Sequence, residues 1–348
     1  MRIAKFLTAM LILVNLQAVL LQAEPVRVGT TFSPRQCEYF GQDWKETYLE
    51  ILDMGFEIMR LGAYWDQIEK EKDVYDFTDL DWQIKQAKKK RIPILLTVGM
   101  KAPRWPEFFI PKWVLKKVSF RLGEDVSSNE YLRERTLKFI KEVVGHYKNE
   151  RIIHYWQVEN EPLNRSGPHY WWIDREFLKQ EVALVRSLDR RNRPIVINTA
   201  TYPHKLLRFL YRVIEPNDPI PEAIELCDIL ALNVYPVVGQ KFKWLDLRFW
   251  TTPDERLKYL AGIVNMAKEH NKKVWATELQ AEPWEPGHLV YKAKEEPTTC
   301  WPELFRSGLK ELRALGIDTI FLWGSEFWLF RKTHYGDDSW VDTALGLI

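Results

Sequence analysis

The stretch IHYWQVENEP occupies residues 153–162. Its first half has the length and residue types of a buried strand, because Ile153, Tyr155 and Trp156 favour pleated backbone. The strand stops at Asn160-Glu161-Pro162, since Pro162 has no N–H to give to a ladder. A core strand thus delivers an amide and a carboxylic acid to its carboxyl end. That end is where α/β folds build their active sites. A second such strand follows at residues 272–279, KKVWATEL, which delivers Glu278 in the same way.

Working outward, strands and helices alternate with no linker and no low-complexity segment. Strands are expected at Val26–Phe32, Phe56–Leu61, Ile92–Val98, the opening motif, Pro194–Thr199, Ile229–Val234, Lys273–Glu278 and Thr319–Trp323. Helices are expected at Trp44–Met54, Leu80–Lys90, Glu130–Tyr147, from the N-cap Asp174 to Arg190, Pro253–His270 and Pro302–Leu315. A short helix follows the fifth strand, and Gly316 stops the seventh helix. Residues 65–77 and 99–128 read as loops, and only Asp338–Ile348 remains for an eighth helix. The runs ILLTV, IVIN, ILALN and IFLW are continuously apolar, as in parallel strands covered on both faces. Eight such units favour a single closed (β/α)8 barrel, the TIM barrel, over an open doubly wound sheet. The open sheet also lacks its signature: FSPRQCEY follows the first strand, not a glycine-rich phosphate loop.

A chain of 348 residues can bury one such core, and its 46% apolar and 28% charged residues are globular in proportion. Its 16 Trp supply core area and also flat faces of the kind that pack on sugar rings. Residues 1–23 have the form of a secretory signal: Arg2 and Lys5, an apolar run from Phe6 to Leu21, then Ala23. The rival reading is an uncleaved anchor helix, for which the run is short. Removal leaves residues 24–348 as one catalytic domain in a secreted or periplasmic protein. The 50 basic residues then fall to 48, against 48 acidic. Net zero charge argues against nucleic acid and against a stable membrane partner. Of Cys37, Cys227 and Cys300, the first and last fall in expected loops on one face and are the better disulfide pair. Cys227 reads as core. With no CxxC, no HExxH and scattered histidines, no metal and no cofactor is expected.

The carboxyl ends of the expected strands carry Arg60, Asn160, Glu161, Asn233, Tyr235, Glu278 and Trp323. Two acids so placed are the groups that cleave a glycosidic bond. In this set the chain resembles the retaining glycoside hydrolases of clan A. RLG at 60–62, NVYP at 233–236 and Trp323 extend the likeness. The segment YWDQIEKEKDVYDFTDLDWQI at 64–84 resembles a stretch of family 42 β-galactosidases, and TEL at 277–279 is similar to family 10 xylanases. Family 5 cellulase-like enzymes share the same general pattern, so the resemblance does not single out one family. It implies a TIM barrel acting on a glycoside, oligosaccharide or polysaccharide, with Glu161 as acid/base and Glu278 as nucleophile.

Retention needs the two carboxyl groups about 5–5.5 Å apart. Arg60 and the Tyr235 hydroxyl are suited to keep the attacker ionised. Burial against Trp156 or Trp323 would keep the acid protonated. Asn160 is placed to donate to a sugar 2-hydroxyl. Trp65, Trp105 and Trp284 are loop aromatics that could line sugar subsites. Each residue has a plainer alternative: Glu161 as a capping acid, Glu278 as a loop acid beside Glu282 and Glu285, Arg60 as a structural partner of Glu159, and the tryptophans as core. A non-catalytic carbohydrate-binding barrel and a transglycosylase using the same two acids are the rival functions.

Overall fold

Eight strands close into a barrel in a computed structural model that describes residues 26–214, 218–242, 244–286 and 296–348. They are β1 (Arg27–Thr31), β2 (Ile58–Gly62), β3 (Ile94–Val98), β4 (Ile153–Val158), β5 (Ile195–Ala200), β6 (Ile229–Val234), then, past a hairpin of β7 (Val237–Phe242) and β8 (Leu245–Trp250), β9 (Lys273–Gln280) and β10 (Thr319–Trp323). Every barrel pairing is parallel, and β1 closes the ring by pairing with both β2 and β10. The expected (β/α)8 barrel is therefore the fold. The expected leader, residues 1–23, lies outside the described residues.

Helices cover the barrel for reasons written locally. The longest, Glu130–Tyr147, is capped by Asn129, whose side chain accepts from Leu132 N at 3.0 Å. It buries Leu132, Phe139, Ile140, Val143 and Val144, a spacing that lays one face on the strands. Asp174 caps helix Arg175–Leu188 as expected, and Thr252 with Glu255 forms a reciprocal capping box on helix Pro253–Glu269. Gly316, at φ +75°, lets the chain leave helix Pro302–Ala314.

The strands divide their side chains between two cores. Outward residues such as Leu61, Leu96, Trp156, Val158 and Leu232 pack under the helices. Inward residues form a separate apolar layer of Ile58, Leu95, Tyr155, Val196, Ala231, Trp275 and Phe321. This layer plugs the amino end of the barrel. Two residues further along each of these strands, on the same face, stand Arg60, Thr97, Gln157, Asn198, Asn233, Thr277 and Trp323. The barrel interior thus changes from apolar to polar in one step toward the carboxyl ends.

Several expectations are corrected. A helix at Pro34–Phe40 follows β1 where a loop was expected, so Cys37 is a helical residue. Cys37 and Cys300 are both buried free thiols and no disulfide joins them, while Cys227 is core as expected. Short helices stand at Trp65–Ile68 and Lys112–Leu115 within the expected loops. Two helices, Lys205–Ile214 and Pro219–Leu226, replace the single short one after β5. Helix Ser325–Tyr335 starts directly after β10, across a turn at Gly324 with φ +137°. Its run Phe327-Trp328-Leu329-Phe330 is buried on every side, so it shows no amphipathic period to read.

Candidate active site

At the polar level of the barrel, a hydrogen-bonded ring links β2, β4, β5, β6 and β9. Arg60 Nε donates to Gln157 Oε1 at 2.8 Å, and Gln157 Nε2 donates to Asn198 Oδ1 at 3.1 Å. Asn198 Nδ2 donates to Asn233 Oδ1 at 3.3 Å, which also accepts from Thr277 Oγ1 at 2.8 Å. Arg60 Nη1 returns to the Thr277 carbonyl at 3.4 Å. All of these side chains are buried, so each bond fixes a group that has no water to fall back on.

The ring carries both candidate acids. Arg60 Nη1 donates to Glu278 Oε1 at 2.8 Å, and Tyr235 Oη donates to Glu278 Oε2 at 2.8 Å. Both oxygens of Glu278 thereby face donors, one of them a permanent cation, which an ionised carboxylate satisfies. Glu161 faces a different set. Its Oε1 accepts from Asn233 Nδ2 at 2.6 Å. Lost hydration, then the negative charges of Glu278 and Glu107, push its carboxyl up to about 8, against the opposing pull of Lys101 and of the Asn233 donor. Glu161 therefore holds its proton at neutral pH while Glu278 sits opposite an arginine. Burial, followed by the Glu278 charge, also pushes the Tyr235 hydroxyl up, so it remains a donor.

Asn160 is oriented from behind. Its Oδ1 accepts from Arg60 Nη2 at 2.5 Å and from Asn198 Nδ2 at 2.9 Å. Those two donors leave its Nδ2 as the atom for a ligand. Arg60 therefore touches Gln157, Asn160 and Glu278 at once, and the alternative pairing of Arg60 with Glu159 is not the one formed.

The backbone is bent to present these groups. Glu159 and Glu161 both have positive φ, +61° and +46°, a conformation that residues other than glycine adopt uncommonly. The turn at Glu159 ends the strand alternation and brings Asn160 and Glu161 in succession onto the cavity. Glu159 itself holds the neighbouring loop: its carboxylate accepts from Met100 N at 2.8 Å and Lys101 N at 2.5 Å. Any side chain at Gly99 would meet that carboxylate at 2.1 Å, so glycine is required there. Lys101 Nζ then donates to the Glu161 carbonyl at 2.6 Å. On β9 the register slips: Leu232 pairs with Ala276 but Asn233 with Glu278. The extra residue, Thr277, is a bulge that re-aims Glu278 beside Asn233.

These groups open on a cavity of about 480 Å³ whose wall includes Asn160, Glu161, Asn233, Tyr235, Glu278, Trp284 and Trp323. Trp284 meets Tyr235 edge-on at 5.8 Å. Trp105 also lines it. Trp65 does not. It is fully buried, donates from Nε1 to Glu69 Oε2 at 2.6 Å and stacks on Phe139. Trp156 is also elsewhere: it points outward and donates to Asp189 at 3.1 Å, so it contributes nothing to the burial of Glu161. The neighbouring acids have other partners. Glu285 accepts from the backbone of Thr298 and Thr299. Glu282 pairs with Arg104, which also binds Glu326 at 2.6 Å and lies 3.9 Å above the Trp323 ring.

Arg104, Glu107, Gln157 and Asn198 are site residues that sequence reading missed. Gln157 and Asn198 were legible by parity, since each is an amide two positions beyond an inward apolar residue. Arg104 and Glu107 lie in a long loop without periodicity. Among the described residues no cluster of His, Cys, Asp and Glu could hold a metal ion.

Residues 31–179 match the model of glycoside hydrolase family 42, described as β-galactosidase. No curated protein matches the chain. Among solved structures, a β-galactosidase from the Antarctic haloarchaeon Halorubrum lacusprofundi aligns over 85% of this chain and 52% of its own, with TM-score 0.58 and 16% identity. A cold-adapted β-galactosidase from Rahnella sp. R3 aligns over 87% and 51%, with TM-score 0.62 and 13% identity. Xylanase 10B from Thermotoga petrophila aligns over 86% and 82%, with TM-score 0.53 and 15% identity. The chain thus spans about half the length of these β-galactosidases, and the structural likeness is one of fold. The resemblance to clan A barrels holds, with neighbours in more than one of its families.

Proposed function

We propose that this chain is an exported β-glycoside hydrolase that retains anomeric configuration, with residues 24–348 as the catalytic domain left after removal of a signal at 1–23. The observation that carries the reading is the opposite environment of two acids in one cavity. Glu161 is held protonated, while both oxygens of Glu278 face donors. Glu278 attacks the anomeric carbon as Glu161 gives its proton to the departing oxygen, leaving a glycosyl ester on Glu278. Glu161, now ionised, takes a proton from water, and the resulting attack on the anomeric carbon frees Glu278. Arg60 and Tyr235 hold the nucleophile in place. Asn160 Nδ2 meets the sugar 2-hydroxyl, and Trp323 and Trp284 supply apolar faces for the rings. The family match favours a β-galactoside as the first substrate to try.

Azide separates the two roles. With Glu278→Ala, azide enters the vacated space and attacks once, so a β-glycoside gives an α-glycosyl azide. With Glu161→Ala and a good leaving group, the ester forms, azide needs no base, and the product is the β-azide. Normal sugar binding by a parent that cleaves nothing in a broad glycoside screen would instead establish the non-catalytic barrel.

A further inference from the structure

The helix Lys205–Ile214, KLLRFLYRVI, carries three cations and no acid. Its inner side is accounted for: Leu207 is buried, Tyr211 lines the cavity, and Arg208 lies 4.8 Å above the Tyr259 ring. Its outer side is the anomaly. Leu206, Phe209, Leu210 and Val213 are 53%, 63%, 40% and 72% exposed. At 3.6 residues per turn these four fall within an arc of about 100°. Such a stripe normally faces a protein core, and here it faces out.

The hairpin of β7 and β8 extends the same surface. His204, just before the helix, meets Phe249 of β8 at 5.3 Å. Trp244, at the turn, is 87% exposed, and Leu245 and Trp250 are also exposed. Val238, Gly239, Gln240 and Lys241 of β7 line the cavity, as Tyr211 of the helix does. The elements that wall the cavity on one side therefore present apolar side chains on the other.

We propose that this rim docks onto an anionic lipid bilayer and brings the cavity to glycans carried at that surface. Charge selects this occupant. The exposed cations Lys205 and Arg212 lie on one flank of the stripe, and the hairpin adds Lys241 and Arg248. Lys241 lies 3.9 Å from Asp246 and Arg248 3.5 Å from Glu285, so the hairpin charges offset one another and the positive surplus of these residues sits at Lys205 and Arg212. An apolar stripe with cations at its edge and a Trp at a loop tip fits the headgroup boundary of an anionic leaflet. A second copy docked on the same patch would set these cations against each other. The near-zero net charge averages over the whole surface and does not describe this rim.

The docking surface stands apart from the catalytic reading; the placement of substrate at the membrane rests on it. The test is co-sedimentation of the full chain with vesicles of phosphatidylglycerol and phosphatidylcholine, compared with phosphatidylcholine alone. The parent binds the anionic vesicles more tightly. The triple variant Phe209→Gln, Val213→Gln, Trp244→Gln, with unchanged circular dichroism and melting temperature, binds about tenfold more weakly or worse. Failure of the parent to sediment with anionic vesicles, or equal binding by the variant, overturns docking. So does sedimentation velocity showing a parent dimer that the variant converts to monomer. In the second arm, the variant retains its rate on a soluble aryl glycoside and loses rate on the same sugar displayed on vesicles. Equal rates on displayed sugar overturn the substrate placement alone. Absence of any glycosidase activity rejects the catalytic reading and leaves the vesicle result standing.

Discussion

Replacing Glu161 with Gln should abolish catalysis and stabilise the fold. The carboxyl rises from 4.5 to about 8 on folding. Between those values the unfolded chain has lost the proton and the native chain keeps it. Stability therefore falls as pH rises through that window and is flat on either side. At about 1.4 kcal/mol per pH unit, the full effect at pH 7 is about 3 kcal/mol. Glu161 opens on the cavity, where water screens part of this, so about 1–3 kcal/mol is expected. Gln has the shape of the protonated acid and can still accept from Asn233 Nδ2. Glu161→Gln should thus match the parent in urea unfolding near pH 4.5 and exceed it by about 1–3 kcal/mol at pH 7. Other buried acids are common to both proteins and cancel in the difference. A variant less stable than the parent, or a gap independent of pH, refutes the reasoning.

Arg60→Met removes a fully buried guanidinium and strands Glu278, which should cost about 3–5 kcal/mol in chemical unfolding and eliminate turnover. The basic limb of kcat/KM should fall near pH 8, where Glu161 loses its proton. Glu107→Gln should move that limb downward, because one of the charges that favour the neutral acid is gone; an unmoved limb removes Glu107 from the role. Trp65→Ala should destabilise by about 3–5 kcal/mol and leave KM unchanged in the protein that remains folded. Trp284→Ala should raise KM with little change in stability, and the reverse pattern would exchange their assignments.

The barrel was legible because parallel strands buried on both faces are continuous apolar runs, and helices such as Glu130–Tyr147 carry a clear period. The two acids were legible because each follows such a run directly. What was not legible depends on contacts between distant segments. Trp65 sits in a loop-like stretch, yet helix Glu130–Tyr147 covers it through Phe139. Trp156 reads as a site aromatic by nearness to Glu161, but strand parity sends it outward. Arg104 finds Glu282 and Glu326 across the barrel mouth, and no local pattern announces that pairing. The bulge at Thr277 is also silent, because register is a property of two strands together.

The most direct test of the central claim is the site of covalent attachment. The parent is incubated with a panel of 2-deoxy-2-fluoro β-glycosyl fluorides, in which a good leaving group allows the first displacement and the fluorine slows the second. It is then digested and the peptides are mapped by mass. The account predicts one added sugar on the peptide of β9, carried by Glu278 and absent in Glu278→Ala. A sugar on Glu282 or Glu285, or turnover of the corresponding β-glycoside with inverted configuration and no adduct, would contradict it.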